Sequence, residues 1–407
     1  MKKLKKQQAT TLYFDYAATA PVIKSVVRAI SLEGNSIFGN PGSIHREGAK
    51  AMSFLDKARE IVAEAVDGEF GGVIFTSSAT EANNLMLRGI VKKYIERART
   101  ENISLPARVI ISAAEHESIE QVATKLSEEG AEVIRVPIKK DGRVDLKVFS
   151  SVLNNRTVIV SFIFTNNETG AVNDIKKIAK IINENRGESI YPLFHIDAAQ
   201  SFQYEDCSFV TTKADAITLS SHKIGGPKGV GALVFRDNAL LKFVDPIIHG
   251  GGQEFGMRSG TENVPAIYGF AVAVKEANRL RQKESKRVMA LKKVLFEEII
   301  RIMPKAKING PKLESGSPHI LNVWLPGISA EDAVMAMDME GVAISYGSAC
   351  SARAFQPSKA IKALGYLDTR AKESVRISIG RETKDRDIVK FAEAFRKTLI
   401  KLAIGNR

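Results

Sequence analysis

The residues of this chain best suited to covalent or acid–base chemistry recur just after short apolar runs. After the run 73–75 comes TSSATEANN, with the hydroxyl of Thr80 and with Ser78 and Glu81 spaced as a capping box at a helix start. His116 follows the run 109–112, and Asn166, Asn167 and Glu168 follow 157–164. Asp197 and Gln200 follow 193–196, and Ser220, Ser221, His222 and Lys223 follow 216–219. Singly, each has a plainer explanation: a cap for Thr80 or Asp197, a surface histidine, a turn asparagine, a loop lysine beside GGPKG. Jointly they supply an amine, a carboxylate, an imidazole, an amide and hydroxyls at a helix N-terminus. Such a set can hold a phosphorylated aromatic aldehyde, with the amine on the carbonyl, the acid on a ring nitrogen and the hydroxyls on phosphate.

The elements that must position these groups alternate. The helix expected over 50–66 turns Ala51, Phe54, Leu55, Ala58, Ile61, Val62 and Ala65 to one face. The runs 73–75, 109–112, 133–136, 157–164, 193–196, 216–219 and 232–235 are short and β-branched, with helical patterns between them. That alternation predicts an α/β fold with a mostly parallel, seven-stranded sheet covered on both faces. Ligands of such sheets bind beyond the carboxyl ends of the strands, where the polar residues fall. Gly250, Gly251 and Gly252 interrupt the pattern, and a long helix over 264–303 leads to strands near 320–324, 342–346 and 375–379. A boundary near 262 follows. It gives a large domain over 20–262 and a smaller α+β domain made of 1–19 with 263–407.

Two cysteines in 407 residues, Cys207 and Cys350, make neither a disulfide framework nor a metal site. Cys350 sits among Gly347, Ser348, Ala349, Ser351, Ala352 and Arg353, which offer little to pack and one nearby cation. That setting suits a nucleophilic thiol better than a buried one. Cys207, in EDCSF, has no such setting. No apolar run approaches the roughly 18 residues of a membrane span, and the basic N-terminus lacks the core of a secretory signal, so the expectation is a cytoplasmic protein. The net charge of +13 is spread along the chain. In the densest stretch, 275–307, Val288, Leu291, Leu295, Ile299 and Ile302 form the stripe of an amphipathic helix. A direct role in binding nucleic acid therefore rests on net charge alone.

The motifs YFDYAATAP, NPGSIHREG, FTSSATEANN, EHES, NNETG, HIDAAQS, LSSHKIGGPKGVGAL, GGGQEFGMRSGTENVPA, GSACSAR and SVRISIG occur in this order. Together they resemble the cysteine desulfurase family, a class V aminotransferase group, over about residues 12–385. The resemblance implies a pyridoxal 5'-phosphate homodimer of fold type I. It implies that Lys223 carries the cofactor, Asp197 faces the pyridine nitrogen and Gln200 the ring hydroxyl oxygen. His116 would stack on the ring as acid and base, with Asn167 near cofactor and substrate. Thr80, Ser220 and His222 would bind the phosphate, joined by Thr261 of the second subunit. Arg376 would hold the carboxylate of L-cysteine, and Cys350 would accept its sulfur.

The segment GSACSARAFQPSKAIKALG resembles the branch with the longer catalytic loop. That branch delivers sulfur to iron–sulfur scaffolds and tRNA-thiolating enzymes. The nearest alternative is a selenocysteine lyase or another enzyme of the same fold; an aminotransferase needs no sulfur acceptor such as Cys350. Three departures from the family pattern stand out: Ser78 where glycine is usual, Tyr346 before GSAC, and Phe202, Gln203 and Tyr204 after DAAQS.

Overall fold

A computed structural model describes residues 11–101, 106–347 and 357–405; Cys350 lies outside the described residues. The strands, in chain order, are β1 Leu12–Tyr13, β2 Val73–Thr76, β3 Arg108–Ser112, β4 Glu132–Val136, β5 Thr157–Ile163 and β6 Leu193–Asp197. They continue with β7 Ala216–Ser220, β8 Gly231–Phe235, β9 Lys307–Ile308, β10 Ile320–Trp324, β11 Val342–Ala343 and β12 Ser374–Ser378.

Seven of them form one sheet in the order β2-β8-β7-β6-β5-β3-β4. Neighbours from β7 to β4 run parallel, while β8 is antiparallel to both β7 and β2. Every residue of β5 is buried, as a strand covered on both sides requires. Side chains alternate between the faces. Ile110 joins a cluster with the helix Arg46–Ala65, whereas Val109 and Ile111 join a cluster with Ala79–Thr100 and Glu117–Glu128. The sheet expected from the β-branched runs is therefore present, with its carboxyl edge where the polar residues were read.

The long helix Val264–Ile302 links this layer to a third cluster. Its first half, including Phe270 and Val274, packs in the cluster under the sheet. Its second half buries Val288, Leu291, Leu295 and Ile299 against β10, β12 and the C-terminal helix Asp385–Gly405. That is the stripe read from the sequence, with Ile302 only partly buried.

The strand expected near 342–346 is shorter. Only Val342 and Ala343 pair, in parallel with Leu12 and Tyr13 of β1. The chain then changes partner, and Ser345 exchanges backbone bonds with Arg376 at 3.1 and 2.7 Å. Two short contacts replace one ladder because the segment has to reach both the N-terminal strand and β12.

Candidate active site

The carboxyl ends of β2, β3, β5, β6 and β7 open onto one cavity of about 210 Å3. Ser78, Thr80, His116, Asn167, Asp197, Gln200, Ser220, His222, Lys223 and Arg376 line it, together with Ala17 and Ala18. A larger hollow of about 430 Å3, beside the helix Ala79–Thr100, is lined by Arg88, Lys92, Arg99 and His249 among others. It holds none of these groups, so chemistry rather than volume selects the smaller cavity.

Each lining group has a local reason to be where it is. Ser78 caps its helix, accepting from the Glu81 N–H at 3.2 Å, and the Glu81 carboxylate reaches back to the Ser77 N–H at 2.9 Å. This is close to the capping box expected, and the Ser78 backbone is extended, so replacing glycine here costs no strain. The first N–H groups of a 22-residue helix therefore face the cavity, where an anion is favoured. Gly231 of β8 makes that approach possible: a Cβ there would lie 2.7 Å from the Ser78 carbonyl carbon.

Asp197 closes β6. One carboxylate oxygen accepts from the Ala199 N–H and the other from Asn83 Nδ2, each at 2.9 Å. Asn83 also donates to Ser118 Oγ at 2.8 Å, and Ser118 meets His116 Nδ1 through its hydroxyl (2.8 Å) and its backbone N–H (3.1 Å). Because a backbone N–H points at Nδ1, the neutral ring carries its proton on Nε2. Burial, with Lys223 nearby, holds His116 below the usual histidine range despite the opposing pull of Asp197. His222 is pushed down to about 4 by burial and then by Lys223 and Lys228, so near neutrality it acts as an uncharged hydrogen-bonding group.

Lys223 Nζ donates to the carbonyls of Ala17 and Ala18 at 2.5 and 2.9 Å. Arg376, fully buried, donates to the Asn167 carbonyl and pairs with Asp15, both at 2.9 Å. Three backbone carbonyls and one acid thus orient the principal cations of the cavity. Behind His116, Glu115 accepts from the Ser112 hydroxyl at 2.5 Å and the Ile163 N–H at 3.0 Å. Burial pushes the Glu115 carboxyl up to about 8.

Thr261 is exposed and does not line the cavity of its own chain. Its loop is tied down by Arg59, which makes two bonds of 2.9 Å to Glu254 among the rings of Phe70, Phe75 and Phe255. Glu254 also accepts from the Phe75 N–H, and both Glu254 and Phe255 hold left-handed backbones, φ 50 and 57°. Cys207 is buried, and that burial raises its thiol far above the usual range. Phe202, Gln203 and Tyr204 are buried too and do not line the cavity.

Over residues 12–391 the sequence matches the class-V aminotransferase family. Cysteine desulfurase IscS 1 of Archaeoglobus fulgidus is 36% identical over 381 residues, covering 94% of this chain and 95% of that one. The chain belongs to the cysteine desulfurase family. Family membership also accounts for the fold. A NifS-like protein of known structure superposes with a TM-score of 0.86 at 28% identity, over 96% of this chain and 99% of its own. SspA in complex with cysteine superposes with a TM-score of 0.76 at 30% identity, over 90% and 98%.

Sequence reasoning missed the groups that hold the lining residues. Asn83 and Glu115 lie inside the quoted motifs FTSSATEANN and EHES, so a signal was present. Asp15 also lies in a quoted motif, but nothing local marks it as the partner of Arg376. The carbonyls of Ala17 and Ala18 leave no trace in residue type.

Proposed function

We propose that this protein is a cytoplasmic, pyridoxal-phosphate-dependent cysteine desulfurase. It takes sulfur from L-cysteine, releases L-alanine and holds the sulfur as a persulfide on Cys350 for transfer to acceptor proteins. The observation that supports this reading most is the meeting of Lys223, Asp197, His116 and Arg376 in one cavity at the carboxyl edge of the sheet. Among relatives, the bound cysteine of SspA supports the substrate.

The residues present fit the cofactor. Lys223 supplies the amine for covalent attachment, and Asp197 keeps lone pairs free for a protonated ring nitrogen. Gln200 would meet the ring oxygen. Ser220, His222, Thr80 and the helix N-terminus at Ser78 would take the phosphate, with Thr261 added from a second subunit. Bound there, the cofactor supplies an electron sink for the bonds to the substrate's α-carbon. The chain's own groups do the rest. Arg376 offers a planar, permanently charged fork to the substrate carboxylate, aimed by Asp15 and the Asn167 carbonyl. His116 holds an exchangeable proton on Nε2, and Asn167 borders the substrate. The Lys223 amine would also serve as a base beside the substrate's α-carbon.

The Cys350 thiolate then attacks the substrate sulfur. The S–S bond forms, the Cβ–S bond breaks, and its electron pair stays on carbon, which takes up a proton. Cysteine plus thiol contain the same atoms as alanine plus persulfide, so no external oxidant is needed. Acceptors of this branch would be an iron–sulfur scaffold or a tRNA-thiolating enzyme. The unit 20–262 would hold the cofactor, and the unit made of 1–19 with 263–407 would contribute Arg376.

Mass spectrometry under non-reducing conditions tests the reading. After cysteine is added, one sulfur should appear on the peptide containing Cys350 and none on that containing Cys207. Cys350→Ser should keep the cofactor and lose alanine formation from cysteine. Full turnover by that variant would refute the assignment, and parallel assays with selenocysteine separate a selenocysteine lyase.

A further inference from the structure

A buried polar chain runs from the second half of the long helix to the edge of the cavity, and the reaction proposed above uses only its last member. Lys292, on that helix, donates to the Ser317 carbonyl at 2.6 Å. The Ser317 hydroxyl meets His319 Nδ1 at 2.6 Å, and His319 Nε2 meets Gln200 Oε1 at 3.2 Å. Gln200 Nε2 donates to the Ala17 carbonyl at 2.7 Å, the same carbonyl that receives Lys223. The Tyr204 ring stacks on the imidazole, with centroids 4.4 Å apart and planes 23° off parallel. Tyr204 is one of the residues that depart from the family pattern after DAAQS, and its contact with His319 gives that departure a purpose.

The proton positions in this chain follow from its two ends. A carbonyl cannot donate, so the nitrogen of the Gln200 amide must face Ala17 and its oxygen must face His319. His319 therefore donates through Nε2, and Nδ1 accepts from Ser317. The imidazole has to be neutral to accept at one nitrogen and donate at the other. Burial and the cations facing it, Lys292 from the long helix, Lys223 after β7 and Arg376 on β12, hold it down to about 3. Gln200 Oε1 is thus occupied from behind, and the second Nε2 hydrogen is left for an acceptor in the cavity.

We infer that His319, gripped by Ser317 and the Tyr204 ring, is a positioning residue. Together with the Ala17 carbonyl it fixes the Gln200 amide at both ends, so that an N–H is held in line with the ring oxygen of the cofactor. The inference rests on the cofactor site proposed above. A fixed donor stabilises the anionic ring oxygen most when the chromophore has lost its neighbouring proton, so it favours proton loss. Without His319 the amide is held at the Ala17 carbonyl alone and can swing out of line with the ring oxygen, so the chromophore should keep its proton to higher pH.

The test is a pH titration of the visible absorption band of the loaded protein. In His319→Phe, which keeps a ring for Tyr204 but has no donor, the midpoint should rise by about one pH unit, roughly tenfold in proton affinity. His319→Gln, whose amide nitrogen can replace Nε2, should stay near the wild type. Ser317→Ala, which removes the donor to Nδ1 and loosens the imidazole that holds Gln200, should move the midpoint in the same direction, and it carries the test if His319→Phe fails to load. An unshifted midpoint in a loaded His319→Phe, or equal shifts in the Phe and Gln variants, would overturn the inference. Absence of a visible band in the wild type, or borohydride fixation at a lysine other than Lys223, would instead sink the cofactor site itself and the inference with it.

Discussion

Arg376 in the cavity and Glu115 behind it show how differently two buried ionisable groups can behave. The Arg376 guanidinium is committed to Asp15 and the Asn167 carbonyl, which fixes its plane, and the proposed role is to meet the substrate carboxylate in that plane. Lysine at this position keeps a charge but loses the fork, and it cannot serve both of those partners and a substrate in one plane. Arg376→Lys should raise the KM for cysteine about tenfold or more while the cofactor band stays intact; an unchanged KM would count against the role. Glu115 is held by donors yet pushed to about 8 by burial, against an ordinary value of 4.5. Between those values the folded chain keeps a proton that the unfolded chain has lost, so this group's contribution to stability is full below the window and falls as pH rises through it. Glu115→Gln, an isostere of the protonated acid, should flatten the fall of denaturation midpoint across that window. An identical slope in both proteins would refute the assignment.

Elements, more than residues, decided what could be read in advance. Short β-branched runs announced the strands, and the residues just beyond them announced the cavity, because strand ends and site lie next to each other in sequence. His116, Asp197 and Lys223 were legible for that reason. Arg59 and Glu254 were not: 195 residues separate them, and nothing local says that a helix arginine and a loop glutamate meet in the dark. The same holds for His319 and Gln200, and for the N-terminal strand, too short to carry a pattern. The Arg59–Glu254 pair makes its own prediction. Glu254→Gln leaves a buried guanidinium uncompensated beside two left-handed residues and should cost about 3–5 kcal/mol. The double variant Arg59→Met with Glu254→Gln should recover part of that loss, and chemical denaturation of all three proteins measures it. A double variant no more stable than the single one would mean that the pair is not a coupled unit.

At the scale of the whole molecule, apolar side chains left uncovered in the single chain suit the second copy proposed above. Phe38 and Ile44 are 78% and 104% exposed, within the same N-terminal stretch as Leu32 and Val27. Ile44→Asp should therefore shift the proposed dimer toward monomer and weaken cofactor retention, since Thr261 would lose its reach. Sedimentation alongside the visible band reads both, and a dimer that keeps its cofactor unchanged would argue against this face.

The strand Leu12–Tyr13 and the turn after it leave the ribosome early, yet what seats them is made late. β11 pairs with the strand, Arg376 takes Asp15, and the Ser378 N–H binds the Phe14 carbonyl. Only then are the carbonyls of Ala17 and Ala18 steadied for Lys223. A nascent chain that has already made Lys223, Asp197 and His116 still lacks this seat until β12 has emerged. Seating of this turn thus waits for β12, and a translation product interrupted before that strand carries Lys223 without the carbonyls that orient it.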